Sequence, residues 1–267
     1  MSTSKLFRNL VNHAGSFKRL LLLSRLRYKY AGLKPRSLVK YLNYQIRITD
    51  GLNFYVQCKD EFVQRIYHFE AERPDPLIID GGSNIGMSIL YFKSIYPAAR
   101  IVGFEPDPDI FRLLEENVSG NKLEHVTLVN AGLGGESGTT TFIKDDKAGG
   151  QFGQAENSIT VKVERLSKWL SEPVDFLKLN IEGEELPVLT EAVASGKLDN
   201  VRELALEYHG WANGQQRLGD ILNLLDQAGY RYLIHDFDYE TGHATKPPFR
   251  LTPETVWFCL VYAKRGV

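Results

Sequence analysis

The chain has 267 residues, 43 % of them hydrophobic and 24 % charged, with a formal net charge of −1. That length and composition suit one large soluble domain, or one domain with an appendage, whose core needs no disulfide framework. The small net charge hides an asymmetry: residues 1–49 hold eleven Lys or Arg and no Asp or Glu, which leaves 21 basic against 33 acidic residues in the remainder.

In the basic arm the only strongly apolar stretch is Leu20 to Leu23. It is far too short to span a bilayer and lacks a small-residue cleavage site. Three readings are open for residues 1–35: a helix docked on the acidic body, an amphipathic helix on an anionic membrane surface, or nucleic-acid contact. No nucleic-acid reader motif accompanies the charge, so nucleic acid is not expected as a partner. Cys58 and Cys259 stand at no metal or redox spacing and fit a reducing, cytoplasmic compartment.

After the arm, YQIRI and NFYVQ flank Thr49-Asp50-Gly51-Leu52 and predict a hairpin over about residues 44–58. Asp60 to Glu72 predicts a helix with Phe62, Ile66 and Phe69 on one face. From Leu77 the pattern alternates. Strands are predicted at Leu77–Asp80, Arg100–Glu105, Val126–Asn130, Val174–Asn180, Val201–Glu207, Arg231–His235 and Thr255–Tyr262. Helices are predicted at Ile85–Tyr96, from Pro108 to near Gly120 with Asp107 as cap, at Glu184–Ala194 and at Leu218–Ala228. Thr139–Ile143 and Ser158–Val163 read as short antiparallel strands around a Gly-rich loop.

Strands alternating with helices predict a mostly parallel sheet covered on both faces. The last two strands have no helix between them and fit an antiparallel pair at the end of the sheet. Ligands of such sheets bind outside the carboxyl ends of the strands, which here are Asp80, Glu105, Asn130, Asn180 and Glu207, all polar.

The turn after the first of these strands is Gly81-Gly82-Ser83-Asn84-Ile85-Gly86. A dinucleotide fingerprint wants glycine where Ser83 stands, so that backbone can approach a pyrophosphate. S-adenosylmethionine has no pyrophosphate. It needs a bare turn, a helix N-terminus near its carboxylate, and an acid for its ribose hydroxyls. Glu105, at the tip of the next strand, is placed for that last role. The plainer readings are a tight strand–helix turn for the glycines and a solvated strand-end acid for Glu105.

DGGSNIG, GFEPDP and FLKLNIEGEE, in this order, resemble the FkbM-type methyltransferases, whose pattern is close to D-x-G-A-N-x-G, F-E-P and K-I-D-x-E-G-x-E. The resemblance covers about Glu61 to His209. It implies an α/β Rossmann-like class I methyltransferase sheet, S-adenosylmethionine as cofactor, and O-methylation of a sugar, glycan or secondary metabolite. Carried over by position, Asp80, Gly81, Gly82, Asn84 and Gly86 fall on the cofactor loop, with Gly82 set against a usual Ala. Glu105 falls on the ribose acid, and Asn130 is assigned to the cofactor side. Lys178, Glu182, Gly183 and Glu185 fall on the second motif. Asn180 stands where the family has Asp, which argues against a divalent metal there. The expected division is 1–60 for the basic arm and hairpin and 61–267 for the methyltransferase domain.

A hydroxyl acceptor benefits from a base that takes its proton as the new bond forms. The candidates are His209, Glu207, Glu182 and Lys178. Glu207 and His209 are two apart, so on a regular strand they share a face. A structural His209 and a Lys178–carboxylate ion pair are the plainer readings. The loop at 144–158 suits a substrate wall, and Phe152 and Trp211 would suit stacking on a ring. No His spacing argues for a metal. Two other functions compete: a nucleotide-dependent oxidoreductase, and a non-catalytic module that binds S-adenosylmethionine.

Overall fold

The structure is a computed structural model that describes residues 18–144, 150–153, 158–210, 215–235, 248 and 252–266. Residues 18–30 form helix α1. Its Leu26 and Tyr30 pack into an aromatic cluster in which the Tyr30 ring meets Phe54 edge-on at 5.0 Å.

The hairpin lies earlier than its predicted place. β1 (Leu38–Tyr41) and β2 (Tyr44–Arg47) pair antiparallel around Leu42 and Asn43. Leu42 takes φ +50, the hand that a two-residue hairpin turn requires. Asp50 turns no hairpin. It caps α2 (Gly51–Gln57), and its Oδ1 accepts from the N–H groups of Leu52 at 2.9 Å and Asn53 at 3.0 Å. Asp-Gly signals a turn and a helix start alike. Here the helix wins because Phe54, Tyr55 and Cys58, spaced one and then three apart, all reach the core.

The helix predicted over Asp60–Glu72 is corrected as well. α2 runs on into a π-helical turn, Cys58–Gln64, which stops at Arg65 in the left-handed region, φ +60. The wider winding puts the consecutive residues Cys58, Lys59, Asp60 and Glu61 all inside. Such turns recur at functional sites. Residues 65–76 form neither helix nor strand, yet Tyr67 and Phe69 are buried there.

From here the predicted alternation appears. β3 (Leu77–Gly81), α3 (Met87–Ile95), β4 (Arg100–Phe104), α4 (Pro108–Gly120) and β5 (Val126–Val129) follow in turn, with Asp107 capping α4 and Pro108 in its first turn. β6 (Gly132–Gly134), β7 (Gly138–Lys144), β8 (Gly150–Phe152) and β9 (Ser158–Arg165) form a separate four-stranded sheet in the order β6-β9-β7-β8. The β7–β9 pairing is antiparallel, as expected. β10 (Val174–Leu179), α5 (Glu185–Ala194), β11 (Val201–Gly210), α6 (Leu218–Gln227), β12 (Tyr230–His235) and β13 (Trp257–Arg265) complete the chain.

The main sheet has seven strands in the order β12-β13-β11-β10-β3-β4-β5. β11, β10, β3, β4 and β5 run parallel, and β13 lies antiparallel between β11 and β12. This is the Rossmann-like sheet with an antiparallel end pair that the resemblance implies. Chain order reverses between β3 and β10, and ligands of such sheets bind at that switch point.

Every residue of α3 from Met87 to Lys93 is buried. A surface helix would show one polar face, and a helix apolar all round is enclosed. Ile89 and Phe92 face the sheet-side core with Ile78 and Phe176, while Met87 and Leu90 join the cluster built by Tyr30, Ile46 and Phe54. The N-terminal segment therefore covers the outer side of α3. Among the described residues, no helix is long and apolar enough to cross a membrane.

Candidate active site

Asp80, next to last in β3, is fully buried beside Lys178 on the neighbouring parallel strand β10. Lys178 Nζ lies 2.9 Å from Asp80 Oδ1 and donates to the carbonyls of Gly81 at 3.2 Å and Gly82 at 2.9 Å. Ser88 Oγ, at the start of α3, donates to Asp80 Oδ2 at 2.6 Å. Lys178, expected among the catalytic candidates, is thus the group that holds the glycine turn.

Gly82 takes φ +79, and a Cβ there would lie 1.9 Å from the carbonyl oxygen of Asn180. No other residue fits, which corrects the alignment of Gly82 with Ala. Laid from Asp80 to Gly86, the family pattern puts its Ala over Ser83, whose Oγ donates to the carbonyl of Asp80 at 3.0 Å. Asn84 also has positive φ, +49, and its Oδ1 accepts from Gln57 Nε2 at 3.2 Å. Gly86 precedes α3 with no capping side chain. The first-turn N–H groups of α3 keep the partial positive charge of a helix start.

Glu105 is buried and closes two turns at once. Its Oε2 accepts from the N–H of Asn84 at 3.0 Å and its Oε1 from the N–H of Asp107 at 2.9 Å. Burial pushes its pKa up to about 8, although both N–H groups favour the charged form. Asn130 stands behind this turn: its Nδ2 donates to the carbonyls of Glu105 at 2.9 Å and Pro106 at 3.2 Å, and it is outside the cleft lining.

A cleft of about 190 Å³ opens at the β3–β10 switch point. Gly82, Asn84, Glu105 and Asp107 line it, with the apolar Ile110, Leu133 and Phe142 beside them. Glu61, Tyr67, Lys178, Asn180, Glu182 and Glu207 line it too. The structure therefore gathers three of the four catalytic candidates and the core of the glycine turn in one cavity.

Glu182 takes φ +58 in the turn after β10. That turn is clamped by Glu185, whose carboxylate accepts from the N–H groups of Ile181 and Gly183, each at 3.0 Å. Burial pushes the pKa of Glu185 up to about 7. His209 lines an adjoining groove between α5 and α6, and its Nε2 is 3.6 Å from Glu182 Oε2. Burial lowers its pKa to about 4, so it is neutral at cellular pH. Glu207 accepts a hydrogen bond from the hydroxyl of Tyr67. Glu207 and His209 lie on one face of β11, opposite Leu260 and Phe258 of β13, and the His209 ring meets Phe258 edge-on at 4.7 Å.

Glu61 and Tyr67 were not expected here. The regular helix assumed over Asp60–Glu72 placed its apolar residues inward and left the acids outside. The signal was the charged run Lys59-Asp60-Glu61 in an otherwise amphipathic stretch. Trp211, His243, residues 145–149 and 154–157 of the long loop, and the Phe152 side chain lie outside what is described. Among the described residues, no three His, Cys, Asp or Glu side chains are grouped to hold a metal.

The cleft residues fit S-adenosylmethionine. Asn180 Oδ1 is buried with no hydrogen-bond partner and suits an ammonium. The start of α3 suits a carboxylate. The free lone pairs of Glu105 suit the ribose hydroxyls, and Gly82 keeps the turn bare.

A family model described as the methyltransferase FkbM domain matches residues 80–232. Methyltransferase 1 of Beauveria bassiana is 28 % identical over 183 residues, covering 54 % of this chain and 74 % of its own. The 2-O-methyltransferase NoeI of Sinorhizobium fredii is 28 % identical over 182 residues, covering 58 % of this chain and 72 % of its own. The crystal structure of methyltransferase FkbM from Methylobacillus flagellatus superposes with a TM-score of 0.49 at 18 % identity, over 79 % of this chain and 52 % of that one. The chain spans about half the length of that solved protein.

Proposed function

From the premise that the chain belongs to the FkbM methyltransferase family, a family of S-adenosylmethionine-dependent enzymes, we propose that it methylates a hydroxyl of a sugar, a glycan or a secondary metabolite. One observation carries this reading: a single cleft holds the cofactor-type groups Gly82, Asn84 and Glu105 together with the carboxylates Glu61, Glu182 and Glu207. Carboxylates accept hydrogen bonds from hydroxyls, so these acids suit a neutral, hydroxyl-bearing acceptor. The relative named as a 2-O-methyltransferase supports the same acceptor class.

When bound, S-adenosylmethionine supplies an activated methyl group, and the protein supplies binding and orientation. Asn180 and the start of α3 would hold the methionine end, and Glu105 would hold the ribose. Residues 80–86 and 105 are the cofactor side, and Glu61, Glu182 and Glu207 are the acceptor side. Calorimetry with S-adenosylhomocysteine and with NAD tests the assignment. Saturable binding of the first and none of the second is expected; the reverse would point to a nucleotide-dependent oxidoreductase.

A second reading concerns α1. Leu20, Leu21, Leu22 and Tyr28 are exposed beside the exposed Lys18, Arg19 and Arg25. This combination supports peripheral contact with an anionic membrane. Cys58 and Cys259 are buried and not joined in a disulfide, which supports a cytoplasmic setting.

A further inference from the structure

Glu61 is a buried carboxylate in the cleft that the cofactor groups do not use. It comes from the π-helical turn, outside the residues matched by the family model. Its Oε2 is inaccessible to solvent and makes no hydrogen bond to the described residues, yet the side chain lines the cleft. An ionisable oxygen left bare in a buried site costs free energy unless a ligand completes it.

The other cleft groups are committed. Asp80 is engaged by Lys178 and Ser88. Glu105 is engaged by two backbone N–H groups. Glu207 takes the hydroxyl of Tyr67, and Glu182 lies beside His209. The His209 ring packs edge-on against Phe258.

We propose that Glu61 accepts the proton of the acceptor hydroxyl during methyl transfer. The hydroxyl oxygen forms the new bond to the methyl carbon. The carbon–sulfur bond breaks, and its electron pair stays on sulfur and cancels the sulfonium charge. The hydroxyl proton passes to Glu61, and release to solvent restores the carboxylate. This assignment rests on the methyltransferase reading above and deepens it.

The surroundings make Glu61 a stronger base than an ordinary carboxylate. Burial raises its pKa well above the usual range, with Lys178 opposing and Asp80, Glu207 and Asp60 reinforcing the rise. Cys58 on its own turn, Tyr41 on β1 and Tyr91 on α3 also face it. A carboxylate with a raised pKa holds a received proton more tightly than an ordinary one.

The test uses the full chain with Glu61→Gln and Glu61→Asp. Glu61→Gln is expected to bind S-adenosylhomocysteine within about twofold of the wild type. Its melting temperature should exceed the wild type's by a margin that grows with pH, because only the wild type must bury a charge. These two readouts need no acceptor. With tritiated S-adenosylmethionine and a panel of neutral methyl glycosides, kcat should fall by about 10²–10⁴-fold. The rise of the wild-type rate with pH should vanish in Glu61→Gln and survive, at lower rate, in Glu61→Asp. A tenfold loss of S-adenosylhomocysteine affinity in Glu61→Gln would make Glu61 a cofactor ligand and overturn the proposal. A flat stability difference across pH, or an unchanged kcat, would overturn it too. Wild-type protein that binds no S-adenosylhomocysteine would instead overturn the functional reading beneath it.

Discussion

Lys178 Nζ lies 2.9 Å from Asp80 Oδ1 across two parallel strands, with side chains 3 % and 0 % exposed. Water cannot screen this pair, and the same ammonium holds the carbonyls of Gly81 and Gly82. Removing one partner strands a buried charge, which costs about 3–5 kcal/mol. Lys178→Met is therefore expected to lose that much stability in urea denaturation and to lose S-adenosylhomocysteine binding. In the double variant Lys178→Met/Asp80→Leu stability should recover in large part while binding does not. Recovery of binding would show that the pair serves stability alone.

Gly82 carries a sharper constraint. Ala at φ +79 is strained by about 1–3 kcal/mol, and its Cβ would meet the Asn180 carbonyl at 1.9 Å. Gly82→Ala is expected to lower stability by more than that strain and cofactor affinity by more than tenfold. Ser83→Ala, which gives up one hydrogen bond, should cost about 1 kcal/mol. Calorimetry and denaturation of the two variants side by side check the order.

Glu105 gives a pH signature. Its pKa is raised from 4.5 to about 8, so the folded state holds its proton more tightly than the unfolded chain. Its contribution to stability is fully present below about pH 4.5 and is lost as pH rises through about 8. Ribose hydroxyls donate best to the ionised form, so cofactor binding near pH 7 should release a proton. Titration with S-adenosylhomocysteine in buffers of different ionisation enthalpy reads that release directly. Glu105→Gln should abolish it and weaken affinity at least tenfold, since each charged hydrogen bond contributes about 1.5–3 kcal/mol. Binding by the wild type without proton release would contradict the assignment.

The sheet was legible because its strands are short apolar runs between helices with clear caps, such as Asp107-Pro108 before α4. The glycine turn was legible because glycine spacing and strand-end acids are local signals. The N-terminal segment was harder to read. Asp50-Gly51 fits a hairpin turn and a helix cap equally, and only packing of Phe54 and Tyr55 decides between them. Glu61 was invisible to periodicity, because a π-helical turn moves residues off the 3.6-residue face assumed for a helix. Asn130 looked like a ligand by its strand-end position, but its side chain turns back to hold the Glu105–Pro106 turn. The shared face of Glu207 and His209 was legible from their spacing of two on one strand.

α1 yields a surface prediction. Leu20, Leu21 and Leu22 are 61 %, 43 % and 46 % exposed, and each nearby Lys or Arg contributes about 1 kcal/mol at an anionic surface. The protein is expected to co-sediment with phosphatidylserine vesicles at low salt and to release as salt screens the contact. Replacing the three leucines by serine should end sedimentation without lowering the melting temperature, because Leu26 and Tyr30 carry the docking to the body. No sedimentation by the wild type, or an unchanged triple variant, would leave the helix without a membrane role.

The most direct test of the account is methyl transfer itself. The full chain would be incubated with tritiated S-adenosylmethionine and a pool of neutral glycosides and hydroxylated metabolites, and the labelled product treated with mild alkali. Transferred label is expected to survive alkali, as a methyl ether does. Label released as a methyl ester would contradict a hydroxyl acceptor, and the absence of any transferred label would contradict the catalytic reading of the cleft.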